Sequence, residues 1–231
     1  MLISDASNSE IIKKGVEIVT SETCFPIKNA HGHVLNLIEK GADYIFLPSV
    51  TNIHSPLKAE TGFKNNLGRN CPCPYIQSFP YLVSMAIDMK NTKSKLLTPV
   101  LPFQRGWKHL AKTLKRSLKG LYQGPTSSIY KALLLAEEVQ NKFALTLRQR
   151  GSEIIEEINK TGKKSIVLVS RPYNGLDRGI NLDLPRKLRE MGVTPIPMDY
   201  LPLDVEGIAK SWPNMYWRYG QKILAAGQFV K

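Results

Sequence analysis

The sequence of 231 residues lacks several features that would place it in a broad class of protein. No apolar run approaches the roughly 18 residues that a membrane-spanning helix needs. The N-terminus carries no basic segment followed by an apolar stretch, which a signal peptide would have. Three cysteines are too few for a disulfide framework. These absences predict a cytoplasmic globular protein that does not enter a membrane.

Two common active-site signatures are also missing, and acidic residues are scarce. We find neither a glycine-rich phosphate loop nor a serine nucleophile elbow. The 32 Lys and Arg outnumber the 19 Asp and Glu, which gives a net charge of +13. This excess favours anionic partners, namely nucleic acid, phosphate-bearing cofactors or acidic proteins. Since no nucleic-acid-binding motif accompanies it, we do not expect nucleic acid. The basic face of residues 107–121 is either an anion-binding surface or, as we expect, a solvated helix face.

Short apolar runs alternate with helical patterns, which predicts the α/β class. Residues 16–20 (VEIVT) and 44–47 (YIFL) are predicted strands. A helical pattern over residues 31–40 separates them, and Gly41 is the helix-ending signal. Such a β-loop-α-β unit favours a parallel sheet. Residues 166–169 (IVLV) begin a second unit of the same kind.

These units predict two α/β domains with parallel sheets. The first domain is assigned to residues 1–125 and contains Cys24 and Cys73. Residues 126–160 are predicted to be a helical connection. Residues 161–231 form the second domain, whose two predicted strands are too few for an independent sheet. Either this domain packs wholly onto the first, or it is partial because the chain lacks a C-terminal continuation.

The three cysteines lie in two unusual proline-containing loops. Cys24 lies in SETCFP, and Cys71 and Cys73 lie in NCPCP. Thiolates favour iron–sulfur clusters or zinc. A nearby helix N-terminus would stabilise the Cys24 thiolate, but a buried structural cysteine is an equal alternative. The Cys71-x-Cys73 spacing is tighter than a metal knuckle, so one of the two could be a bystander.

Two further groups of residues are candidates for binding. His31 and His33 could ligate a metal, although we expect them to cap a helix or to fill polar core positions. Arg171 and Tyr173 follow the predicted strand at residues 166–169. Arg171 could bind a phosphate or a carboxylate through two hydrogen bonds. An interdomain salt bridge is an equal alternative for it.

An ordered series of motifs resembles proteins related to the acyl-CoA dehydratase activase. In those proteins this domain is often fused behind ATPase modules, and it is similar to the subunits of 2-hydroxyacyl-CoA dehydratases. The motifs that carry the resemblance are ETCFP at 22–26, Lys28, HGH at 31–33, YIFLP at 44–48, CPYIQ at 73–77, SRPYN at 170–174 and MYWRYG at 215–220.

The resemblance implies two Rossmann-like domains with a [4Fe–4S] cluster between them. Cys24 and Cys73 match the ligand positions of the family, and Cys71 is the local third thiolate. Arg171 and Tyr173 would line the interdomain cleft as cofactor-binding residues. An ATP-dependent activase would supply low-potential electrons, and a CoA thioester would be the substrate. The implied activity is that of a 2-hydroxyacyl-CoA dehydratase-like lyase or its electron-transfer component.

Three expectations complete this interpretation. The family carries a further cysteine beyond the final motif, so we expect the chain to lack its C-terminal part past Lys231. It is not expected to hydrolyse ATP. The competing hypothesis is a non-catalytic interaction module that docks on an activase or another partner, and a homodimer stays open.

Overall fold

The computed structural model describes residues 1–53, 71–212, 215 and 217–230. Parallel strand pairs and long helices confirm the predicted α/β class. The described residues form two compact units, one of residues 1–53 and 71–133 and the other of the residues from 134 onward. The Rossmann-like character and the predicted domain boundaries stay predictions. None of the described helices is both long and apolar enough to cross a membrane.

The first unit contains eight regular elements among its described residues. In chain order they are α1 (Ser9–Ile18), α2 (Phe25–Glu39), β1 (Tyr44–Phe46), β2 (Ser49–Asn52), α3 (Pro74–Ala86), β3 (Lys95–Leu97), β4 (Val100–Pro102) and α4 (Trp107–Ser117). Short 3-10 turns at Met89–Asn91 and Phe103–Arg105 precede β3 and α4.

The described residues of the second unit contain six elements besides the long helix that leads into it. That helix is α5 (Thr126–Thr161), and it spans the predicted helical connection. The others are β5 (Ser165–Leu168), α6 (Pro172–Leu176), α7 (Leu184–Glu190), β6 (Thr194–Pro197), α8 (Val205–Ser211) and α9 (Arg218–Phe229). α9 is the last of these elements, and Tyr216 and Lys231 lie outside the described residues.

The predicted strand at residues 16–20 is wrong, because most of that segment belongs to α1. The Asn8 side chain caps this helix and accepts hydrogen bonds of 3.0 Å from the backbone N–H groups of Glu10 and Ile11. Lys14 Nζ lies 2.7 Å from Glu10 one turn away. The cap and the helical ion pair outweigh the weak strand preference of the β-branched residues.

A close approach between two glycines joins α1 to α2. A Cβ atom added to Gly15 would lie 2.1 Å from the Lys28 carbonyl oxygen, and one added to Gly32 would lie 1.9 Å from the Ile11 carbonyl oxygen. Any side chain at either position would therefore push the helices apart. Gly32 is the centre of the HGH motif, so its role is to let two backbones meet.

The first unit is built on a parallel ribbon that prolines interrupt. β1 pairs with β3, β2 pairs with β4, and the two pairings keep one register until a shift near Asn52. Pro48 and Pro99 lie between the two ladders and cannot donate ladder hydrogen bonds. The strand predicted at residues 44–47 is confirmed in β1.

The core of this unit lies where the helices cover the ribbon. Val34 of α2, Ile45 of β1 and Val83 of α3 form its centre, together with Ala42 and Ile87. α2 begins at Phe25 rather than at the predicted residue 31, because Pro26 suits the first turn of a helix. α2 ends as predicted, since Gly41 adopts φ +75°.

The second unit repeats the parallel pairing on a smaller scale. β5 pairs with β6 in parallel, which confirms the predicted unit. A Cβ atom added to Gly151 of α5 would lie 1.8 Å from the Tyr200 carbonyl oxygen. This approach fixes the 3-10 turn Met198–Tyr200, which follows β6, against α5.

Candidate functional site

The directions of α2 and α3 decide where the cysteines lie. Ser49 Oγ of β2 donates a hydrogen bond of 2.6 Å to the Gln77 carbonyl oxygen in the first turns of α3. Val83, further along α3, packs in the cluster that contains Ile45 of β1. α3 therefore runs antiparallel to the ribbon, and its N-terminus points toward the carboxyl end of the ribbon. Ligands of parallel α/β sheets bind at this end.

α2 runs alongside α3 in the same direction. The His31 ring packs edge-on against Phe79 at 5.0 Å between ring centroids, and Val34 shares the core cluster of Val83. These contacts lie at matching depths in the two helices. Both helix N-termini therefore lie at one edge of the unit, roughly 10 Å along the helix axes from the ring contact.

Cys24 is the N-cap residue of α2. Its side chain is exposed, and its carbonyl oxygen accepts hydrogen bonds of 3.0 and 3.2 Å from the N–H groups of Ile27 and Lys28. The helix that the sequence predicts beside Cys24 is present, but the strand predicted before it is not.

Cys73 takes the equivalent position on α3, with Pro74 directly after it. Its carbonyl oxygen accepts hydrogen bonds from Ile76 and Gln77, at 2.9 and 3.2 Å. The Gln77 side chain donates a further hydrogen bond of 3.0 Å to the Pro72 carbonyl oxygen. Gln77 therefore holds the loop that carries Cys71 and Cys73, both half-buried.

The structure thus brings Cys24 and Cys73 to one edge, each at the start of a helix. Within the described part of the chain, no three His, Cys, Asp or Glu side chains are arranged to hold a metal ion. The described residues therefore present two thiols on a common edge without gathering a complete ligand set around them.

His31 and His33 occupy the structural positions that the sequence favours for them. His31 is 1% exposed, and its Nδ1 lies 2.8 Å from the Ile27 carbonyl oxygen. His33 Nδ1 lies 3.0 Å from Ser4 Oγ, and its Nε2 lies 2.9 Å from Ser7 Oγ. The His33 imidazole therefore ties α2 to the N-terminal segment, whereas the His31 nitrogen bonds within α2 and the His31 ring packs against α3.

In the second unit, Arg171 and Tyr173 lie where β5 gives way to α6. Arg171 Nη1 donates a hydrogen bond of 2.8 Å to the Tyr173 hydroxyl. The Arg171 guanidinium also lies over the Trp217 ring, 5.0 Å from its centroid. The two predicted residues therefore contact each other and hold a planar cation against an aromatic face.

Three polar or charged groups that sequence reasoning missed extend this cluster. Lys222 Nζ lies 2.8 Å from Asp199 Oδ1 and 5.5 Å from the centre of the Tyr219 ring. Burial raises the pKa of the Tyr219 phenol, Asp199 raises it further, and Arg171 opposes both. Tyr219 therefore stays a protonated hydrogen-bond donor near neutral pH.

One signal in the sequence could have found Asp199. It follows β6 as Arg171 follows β5, and the carboxyl ends of parallel strands meet at one edge of a sheet. Trp217 and Tyr219 lie in the MYWRYG motif, whose spacing alone indicates no packing against Arg171.

Comparison with known proteins gives one finding. A family model described as the CoA enzyme activase uncharacterised domain matches residues 1–201, which include every motif quoted above except the one at 215–220. No significant match arises among curated proteins or among solved structures. The resemblance to activase-related proteins is thereby confirmed. The chain belongs to the family of the CoA enzyme activase uncharacterised domain.

Proposed function

We propose that this chain is an iron–sulfur component of a CoA-linked enzyme system. It would work with an ATP-dependent activase in electron transfer, or in reductive chemistry on a small CoA-linked substrate. The observation that carries the proposal is the placement of Cys24 and Cys73 at the starts of two parallel helices on one edge of the first unit. Membership of an activase-related family supports the partner.

The donor set fits an iron–sulfur cluster in its chemistry. Soft thiolates are the usual ligands of such clusters. Cys24 and Cys73 would be the two principal ligands, with Cys71 as the third thiolate. A bound cluster would supply one-electron chemistry. The chain itself orients the ligands through the helix caps and through the hydrogen bond of Gln77 to Pro72.

The second unit would bind the anionic part of the substrate or cofactor. Arg171 offers a charged donor that Tyr173 and Trp217 hold in place. The protonated Tyr219 phenol and Lys222 offer further donors on the same cluster. Phosphate and thioester oxygens accept hydrogen bonds from such groups.

The proposed cluster is tested by measuring the iron and acid-labile sulfide that the chain binds after anaerobic reconstitution. We expect about four iron and four sulfide per cluster, with visible absorption. Cys24→Ser and Cys73→Ser should each lower bound iron sharply, while Cys71→Ser separates a third ligand from a bystander. Thr23→Ala, which keeps every thiol, is the matched control. Iron content that is unchanged in both the Cys24 and Cys73 variants would refute the assignment.

Binding of coenzyme A, measured by titration calorimetry, tests the second unit separately. Arg171→Gln should weaken binding about tenfold if it removes one charge-assisted pair. Arg189→Gln, which removes one exposed charge from the same unit, is the control. Equal affinities of the two variants would exclude Arg171 from the binding site.

A further inference from the structure

We propose that one face of α4 is a docking surface for an acidic protein. We call it the basic face, and it consists of Lys108, Lys112, Lys115 and Arg116 of α4, together with Lys119 in the turn that follows. The partner is identified by its chemistry, a protein surface with clustered carboxylates. This inference stands apart from the proposed iron site, since it needs no bound metal.

The positive charge of the chain is concentrated around this helix. Residues 89–136 contain ten Lys and Arg but no Asp or Glu. The whole chain has a net charge of +13, so this one segment carries most of the excess. Several acidic residues outside this segment form ion pairs, such as Glu39 with Lys14 and Asp183 with Arg186.

Helical geometry gathers these charges on one side. The spacing of the basic residues along the helix places them within an arc of about 100°. Leu110, on the opposite side, is buried, and so is Ala111 at the edge of the basic arc. Lys108, Lys112 and Arg116 are exposed, one turn apart. The apolar side is therefore already packed inside the first unit, and the charged side faces solvent.

This arrangement lowers the stability of the helix. Like charges one turn apart, as at Lys108–Lys112 and Lys112–Arg116, destabilise a helix by about 0.2–0.5 kcal/mol per pair. The first turn carries no acidic residue to complement the helix dipole. Within the described chain, two side chains of the basic face donate hydrogen bonds. Lys115 donates to the carbonyl oxygens of Tyr122 and Gly124, and Arg116 makes a long contact of 3.4 Å with the Lys112 carbonyl oxygen. A carboxylate-bearing partner would offset this repulsion.

The composition of the face favours carboxylates over nucleic acid. It has four lysines and one arginine, and lysine contributes a point charge rather than the paired hydrogen bonds that read bases. Trp107 packs edge-on against Phe103 at 5.9 Å between ring centroids, so it is not presented as a base-stacking platform. The four charges within α4 extend over about 12 Å along the helix, which suits steering by a complementary acidic patch.

α4 begins at the same end of the first unit as the two cysteine-bearing helices. α4 begins directly after the turn that follows β4, at the carboxyl end of the ribbon. Cys24 and Cys73 lie at the same end of this unit. A protein bound on the basic face would therefore lie beside the cysteine edge.

The test compares two probes, poly-L-glutamate and a DNA duplex of equal charge, on iron-free full chain. Lys108→Gln/Lys112→Gln/Arg116→Gln should weaken poly-L-glutamate binding at least tenfold, mainly through slower association. The control is Lys142→Gln/Lys187→Gln/Lys210→Gln, which removes the same charge from exposed sites elsewhere and should change the affinity less than twofold.

Three results would overturn the proposal. The first is equal loss in the two triple variants, which would assign binding to net charge alone. The second is the absence of measurable poly-L-glutamate binding at about 50 mM salt, where surface charges are weakly screened. The third is a DNA affinity that exceeds the poly-L-glutamate affinity tenfold and falls in the basic-face variant, which would indicate a nucleic-acid surface.

Discussion

At the residue scale, Gln77 controls the loop that carries two of the three cysteines. Its amide donates to the Pro72 carbonyl oxygen, and its own carbonyl oxygen accepts from Ser49. We predict that Gln77→Ala frees the loop and speeds the modification of Cys73 by a thiol reagent several-fold, as expected when a half-buried thiol opens. Cys24, which lies on another helix, is the internal control, and mass spectrometry of each site gives the rates. An unchanged rate at Cys73 would show that the helix cap alone holds the loop.

Tyr219 gives the second unit a pH dependence that can be measured. Burial raises the pKa of its phenol above the ordinary value, so above about pH 10 the unfolded state loses its proton first. The free energy of unfolding should then fall as pH rises, because the folded state binds more protons. Tyr219→Phe should remove part of this fall between about pH 9.5 and 11 in urea titrations. Tyr81→Phe, at an exposed side chain, should not.

The cysteine positions could be predicted from sequence, but their surroundings could not. Short proline-containing motifs mark Cys24 and Cys73 because a helix start has local signals, namely a cap and an early proline. The contacts of Arg171 with Trp217, and of Lys222 with Asp199, join residues far apart in the chain. Only the parallel pairing of β5 with β6 and the packing that follows it bring these groups together.

At the scale of elements, the junction of α1 and α2 depends on backbone contact. We predict that Gly32→Ala destabilises the protein by about 1–3 kcal/mol, because the new Cβ would lie 1.9 Å from the Ile11 carbonyl oxygen. This loss would exceed the gain of up to about 1 kcal/mol in helix propensity. Urea denaturation, followed by circular dichroism, measures the difference.

Gly227 in α9 is the matched control for that substitution. Among the described residues, no atom outside the neighbouring helix backbone lies within 4 Å of the Cβ that Gly227→Ala would add. The change should therefore stabilise the chain by roughly 0.5–1 kcal/mol through helix propensity. If both substitutions stabilised the chain, helix propensity rather than backbone contact would determine the effect at Gly32.

The first helix shows why sequence reasoning failed at one element and succeeded at others. Residues 16–20 have the composition of a strand, but Asn8 caps a helix that includes most of them. The cap lies eight residues before the apolar run, outside the pattern that predicts the strand. β1 and β5 were predictable because short runs of aromatic, β-branched and other apolar residues end at a proline or a polar loop there. The register of the ribbon was not, since it depends on a partner strand distant in sequence.

At the scale of the whole molecule, charge is divided unevenly along the chain. Residues 89–136 have no acid to neutralise their bases, whereas the ion pairs of the described chain lie outside that segment. Exposed pairs contribute little to stability. The repulsion within the acid-free segment is therefore the electrostatic feature that salt should change most.

We predict that the basic-face variant Lys108→Gln/Lys112→Gln/Arg116→Gln is more stable than the parent chain at low salt. Removing the like-charge pairs should raise the free energy of unfolding by about 0.5–1 kcal/mol, while glutamine keeps a similar helix propensity. Sodium chloride screens the same repulsion in the parent, so the difference should shrink between about 50 and 500 mM salt. Thermal melting at both concentrations measures it. The variant Lys142→Gln/Lys187→Gln/Lys210→Gln should show a smaller gain, and an equal gain would attribute the effect to net charge rather than to the clustering of charge on α4.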